Sequence, residues 1–176
     1  SYMDAAEAYD KIKNNSLSYD IHILGRDNIK DTINAENIGL KINKNAENAI
    51  DQIKSGQNGF MWVTGFLKEN SYSNYNILEV DEDKFNSSFE KLKIVNNKNV
   101  TEPKEPYYKY NGSEYILVEE VKGNSVIVEN LKRNIINGIL SGKRTIDLRE
   151  GDSYRNPKFT KDLKEVKDAK DVVNKF

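Results

Sequence analysis

The chain has no cysteine and a single histidine, His22, among 176 residues. Without thiols there can be no disulfide, no thiolate zinc site, no iron–sulfur cluster and no cysteine nucleophile. A Ser-His-Asp triad or a multi-histidine metal site would have to be built around His22 alone. Proline (3 residues) and tryptophan (1) are scarce, so few positions force a break in regular structure. No apolar run approaches the roughly 20 residues of a membrane span, and no secretory leader is visible. Charge of one sign is also missing. Lys and Arg number 27 against 28 Asp and Glu, and a near-neutral chain argues against nucleic acid, which needs a basic face to neutralise phosphates. The absence of cysteine does not exclude export, because many secreted Gram-positive proteins lack it. The opening Ser1-Tyr2-Met3-Asp4 reads as a segment of a longer protein, with any leader or anchor upstream.

What is present is enough for one medium domain or two small lobes. Hydrophobic residues make up 37% of the chain and charged residues 31%, and the apolar positions are spaced as a folded domain spaces them. Residues 3–13 carry apolar side chains three and four apart and read as a helix. Residues 18–24 alternate as a half-buried strand, Gly25-Arg26-Asp27 turns the chain, and residues 29–33 read as the partner strand. Ile38, Leu40 and Ile42 form a third alternating run. Asn45 is placed to cap a helix over 46–55, with Gly56 as its stop. Phe60, Trp62 and Phe66 are expected to pack at a seam between two halves. A short strand follows over 75–80, then Asp81 as N-cap and a helix over 84–92 with Phe85, Phe89 and Leu92 on its apolar stripe.

The polar segment 93–106 reads as a surface loop. Asn111-Gly112 between the alternating runs 107–110 and 115–121 predicts a hairpin with a two-residue type I′ turn. Ser125 or Asn130 is expected to open a helix striped by Leu131, Ile135, Ile136, Ile139 and Leu140 and stopped by Gly142. Residues 144–148 alternate as a strand, 151–157 read as a loop, and 160–176 as an amphipathic helix or charged exit segment. The fold class is therefore α+β, with antiparallel hairpins packed against amphipathic helices in one domain or two lobes.

Chemistry-bearing motifs are few. His22 lies between Ile21 and Ile23 and faces away from them, as a surface histidine does. Glu119 and Glu120, as strand neighbours, point to opposite faces and so cannot form the carboxylate pair of a glycosidase. Asp81-Glu82-Asp83 lacks the spacing of a calcium loop and suits a helix N-terminus. Gly138 to Lys143 ends a helix, where a phosphate loop would open one. Tyrosine is the positive anomaly, with ten residues. Tyr107, Tyr108, Tyr110, Tyr115 and Tyr154 crowd the second half. Ring faces stack on apolar sugar faces while hydroxyls hydrogen-bond, although alternate members of such a run serve equally as hairpin core.

The order of features resembles a known family. It runs from Leu78 through the Asp81-capped helix to Tyr107-Tyr108-Lys109-Tyr110. Tyr115-Ile116-Leu117-Val118-Glu119-Glu120, Gly123-Asn124, Thr145-Ile146-Asp147-Leu148 and Tyr154-Arg155-Asn156-Pro157 follow. The whole is similar to the peptidoglycan-binding domain that precedes the catalytic domain of Gram-positive L,D-transpeptidases of the YkuD/ErfK type, also found in VanW-like proteins. Gly25-Arg26-Asp27 and Glu36-Asn37-Ile38-Gly39-Leu40 look like the start of the same module. The resemblance implies an N-terminal lobe over 1–66, the binding domain over 67–160, and a charged helix or linker over 161–176 leading to a catalytic domain beyond Phe176. It implies an extracytoplasmic protein at the cell wall or surface, held at the membrane by an upstream anchor. Its partners would be peptidoglycan glycan or stem peptide and the downstream catalytic domain. The family's catalytic Cys motif is absent here, so the implied role is non-catalytic binding or spacing, without cofactor or metal. The expected ligand contacts are Tyr107, Tyr108, Glu119, Asn124 and Tyr154. A structural or protein-interaction domain of a VanW-like surface protein is the alternative, and an independent hydrolase a more distant one.

Overall fold

The computed structural model describes residues 19–43 and 78–173. The expected helices at 3–13 and 46–55, the aromatic trio Phe60, Trp62 and Phe66, and the start of the strand expected at 75–80 lie outside the described residues.

The first strands are strand β1 (Asp20–Leu24) and strand β2 (Lys30–Asn34), paired antiparallel with Ile21 opposite Ile33 and Ile23 opposite Asp31. Alternation sorts their side chains: Ile21, Ile23 and Ile33 are buried while Asp20, His22 and Thr32 are exposed. Asp27 and Asn28 both take positive φ, 55° and 59°, the pairing that a type I′ turn needs and that short Asp and Asn side chains tolerate. A 3-10 turn (Glu36–Ile38) follows β2, then strand β3 (Lys41–Ile42), which pairs with strand β4 (Leu78–Glu79). The alternating run expected over 38–42 is thus cut short: Ile38 belongs to the 3-10 turn, and Gly39 closes it in a left-handed conformation.

Helix α1 (Glu82–Phe89) begins where its cap predicts. The Asp81 carboxylate accepts from the Lys84 N–H at 3.0 Å, and Glu82 and Asp83 sit at the positive end of the helix dipole. Phe85 and Phe89 are buried one turn apart, ring centroids 6.1 Å from each other. Strand β5 (Tyr107–Tyr110) and strand β6 (Tyr115–Val118) form the second hairpin. Its connection is a four-residue loop and not the expected two-residue turn. The Asn111 side chain accepts from the N–H groups of Ser113 and Glu114, so a side-chain turn replaces the backbone one.

Helix α2 (Val128–Leu140) has Ile127 at its N-cap position, not Ser125 or Asn130. Ser125 is buried ahead of it, and Asn130 lies within it, its amide donating to Asp152 O. Leu131, Ile135 and Ile139, each four residues apart, are wholly buried. Gly142 ends the helix as expected, with Lys143 N–H closing on Gly138 O. Strand β7 (Thr145–Asp147) then pairs parallel with β1, giving a three-stranded sheet of order β2-β1-β7. Helix α3 (Lys164–Val173) follows.

The fold is α+β. One core holds Ile21 and Ile23 from the first strand, Phe85 and Phe89 from α1, Leu131, Ile135 and Ile139 from α2, and Ile146 from β7. Each such side chain contributes about 1.5–3 kcal/mol by leaving water. The expected boundary between residues 66 and 67 lies outside the described residues. Strand β1 comes from one side of it and its parallel partner β7 from the other, and they share a sheet.

Candidate functional site

Three stretches far apart in sequence meet at one place. Arg26 follows β1, is only 8% exposed, and sends its side chain under three loops. Its Nε donates to Arg149 O at 3.0 Å, one terminal nitrogen to Lys122 O and Gly123 O at 3.2 and 2.9 Å, and the other to Asn156 Oδ1 at 2.6 Å. The guanidinium lies 4.4 Å from the centroid of the Tyr154 ring. The Arg26 N–H donates to the Tyr154 hydroxyl at 2.9 Å, and burial pushes that phenol upward in pKa. A rigid fork of five donors meets planar carbonyls and a ring face, which is the geometry arginine serves best.

Close backbone approach makes this knot possible. A side chain at Gly25 would strike the Tyr154 hydroxyl at 2.8 Å. Gly123 has φ +69°, and a Cβ there would lie 2.5 Å from Thr101 O. Beside it, Asn124 is 5% exposed. Its side-chain oxygen accepts from Thr101 N–H at 2.7 Å, and its amide donates to Asn99 O and to the Asp27 carboxylate. Two of the expected ligand contacts are therefore buried within the knot. Tyr154, 2% exposed, and Asn124 direct their polar atoms to the chain itself.

The other three lie elsewhere. Tyr108 is half-buried beneath α3, and its hydroxyl donates to Val166 O at 2.8 Å. Glu119 forms an ion pair with Lys161 at 3.0 Å. Since β6 ends at Val118, Glu119 and Glu120 are not held to opposite faces: Glu120 accepts from the Lys161 N–H, so both carboxylates hold the same residue. Glu105 does the same one step earlier, accepting from the N–H groups of Lys158 and Phe159 at 2.9 Å, which draws its pKa below the usual carboxylate range. Carboxylates of the loop and hairpin thus clamp the segment that leads into α3.

Tyr107 alone of the five is an open aromatic surface, 55% exposed. The register sets it on the hairpin face opposite Tyr108, together with Lys109, Ile116 (42% exposed) and Val118. At the hairpin tip Tyr110 and Tyr115 stand directly across from each other, centroids 5.2 Å apart. The tyrosine run announced an aromatic surface. What it did not reveal is which members alternate outward, because that depends on where α3 lies.

Three further carboxylates hold cations: Asp147 with Arg149, Glu150 with Lys122, Asp152 with Arg133. The Arg149 guanidinium and N–H hold Asp147 down at a pKa of about 2. Among the described residues no cluster of His, Asp or Glu has metal-binding proximity, and no helix is long and apolar enough to cross a membrane. No family model, curated protein or solved structure matches the chain.

Proposed function

We propose that the chain is a non-catalytic domain of a cell-wall L,D-transpeptidase that holds peptidoglycan near the enzyme. Two observations support the reading, and the second carries it. Gly25-Arg26, Gly123-Asn124 and Tyr154-Arg155-Asn156, quoted for the family resemblance from three distant places, converge on the Arg26 knot. On the scaffold so fixed, Tyr107, Ile116 and Val118 with the amine of Lys109 form an outward hairpin face. A ring and aliphatic strip beside a donor suits a sugar, whose apolar face stacks while its hydroxyls bond. Weak contact of this kind raises the local concentration of a tethered enzyme at its substrate.

Co-sedimentation with purified peptidoglycan sacculi tests it. The domain is expected to pellet at low and moderate salt, and Tyr107→Ala/Ile116→Ala to reduce the pelleted fraction severalfold while leaving the fold intact. Absence of pelleting at either salt reduces the domain to a spacer.

A further inference from the structure

A second surface stands apart from the hairpin. Between β2 and α1 runs a groove of about 590 Å³, walled by Thr32 and Asn34 on one side and by Lys84, Ser87, Ser88 and Lys91 on the other. Among the described residues β2 is the edge of its sheet. The hydrogen bonds Gly25 N–H to Ile29 O and Ala35 N–H to Tyr19 O bracket the β1–β2 ladder. Antiparallel alternation then assigns the ladder bonds to Asp31 and Ile33 and turns the backbone groups of Lys30, Thr32 and Asn34 away from β1. The N–H and C=O of Thr32 thus face the groove as an open strand edge, the template to which an extended peptide adds.

The opposite wall supplies charge. Lys84 in α1 and Lys91, two residues beyond its end, are exposed and form no ion pair among the described residues. Asp31, which also lines the groove, is buried with its carboxylate engaged by the N–H groups of Lys93 and Ile94 at 2.9 Å. Asp83 is the remaining acid of the lining. Among the described residues the groove therefore offers two unpaired ammonium groups beside the outward main-chain groups of Thr32.

We propose that this groove docks a short peptide bearing free carboxylates, one residue pairing with the Thr32 backbone and its carboxylates meeting Lys84 and Lys91. The inference rests on the wall-binding reading and makes the stem peptide, not the glycan, the moiety held here.

The test is an amide NMR titration of the whole chain with a soluble stem tetrapeptide, run beside the same peptide with its carboxylates amidated. Shifts are expected at Thr32 and along residues 84–91. The free-carboxylate peptide should bind about tenfold more tightly than the amidated one, as loss of a charge-assisted contact implies. Lys84→Ala/Lys91→Ala, at exposed positions, should lose the same factor, and added salt should weaken binding. Thr32→Pro removes the outward N–H of an edge strand and should weaken binding as read at the amides of residues 84–91. Failure of wild-type protein to pellet with sacculi removes the wall-binding reading. Pelleting together with equal affinity for both peptides, or with unmoved Thr32 and α1 amides, overturns the groove and leaves that reading standing.

Discussion

Replacing Arg26 by alanine should be among the most damaging single changes in the chain. Four side-chain hydrogen bonds disappear, to Arg149 O, Lys122 O, Gly123 O and Asn156 Oδ1. At about 1 kcal/mol net for each bond and about 1 kcal/mol for the guanidinium over Tyr154, the gross loss approaches about 5 kcal/mol. Two effects offset it. Deletion releases the desolvation cost of a guanidinium that is 8% exposed, and the abandoned carbonyls are only partly buried, so water can reach them. A net loss of about 3 kcal/mol is the expected result, a large part of the 5–15 kcal/mol typical of a domain. For a chain of this size that lowers Tm by about 6–12 °C. Arg26→Lys keeps the charge but loses the planar fork, and should retain less than half of the stabilisation. Urea denaturation followed by far-UV circular dichroism measures both. An Arg26→Ala protein within about 1 kcal/mol of wild type would refute the view that this side chain ties the three loops together.

Further outcomes follow from the same contacts. Gly123→Ala meets both a left-handed backbone and the carbonyl of Thr101, and should cost about 3 kcal/mol or more in urea unfolding. Asp81→Ala removes the side-chain cap of α1 and should cost about 1 kcal/mol, with Asp81→Asn largely restoring it. Glu105 has a folded-state pKa below its unfolded one, chiefly from the Lys158 and Phe159 N–H groups. Its clamp is therefore intact above the usual glutamate range and lost as pH falls through the lowered value. The amide resonances of Lys158 and Phe159 should titrate together, with a midpoint below that of a glutamate in an unstructured peptide. A midpoint at or above that value would show that the clamp does not form.

Local chemistry made much of the fold legible. The β1–β2 alternation, the Asp81 cap and the four-residue spacing of Leu131, Ile135 and Ile139 each specify their element without reference to distant residues. The errors came where a local rule had a competitor. Asn111-Gly112 suggested a backbone type I′ turn, but the Asn111 side chain offers two N–H groups an acceptor of its own and lengthens the loop. The positive-φ pair fell instead at Asp27-Asn28, a sequence with no glycine to announce it. The parallel pairing of β7 with β1 joins residues more than a hundred positions apart. No periodicity within either strand encodes it.

The candidate site was harder to read for a chemical reason. Tyr, Asn and Arg flanked by glycine are what a binding surface uses, and also what a buried polar knot uses, since both need ring faces, paired amides and close backbone approach. Tyr154 falls on the second side because the Arg26 N–H, from the far end of the sequence, takes its hydroxyl, and Asn124 because Thr101, Asn99 and Asp27 take its amide. Tyr107 falls on the first because α3 covers the opposite face of its hairpin, where Tyr108 spends its hydroxyl on Val166. Residue type therefore nominates both classes equally, and what separates them is whether a distant partner has already satisfied the polar atoms. By that criterion two surfaces among the described residues keep capacity for a ligand: the Tyr107–Ile116 strip and the Thr32 edge facing Lys84 and Lys91, where main-chain and ammonium groups keep bonds to give.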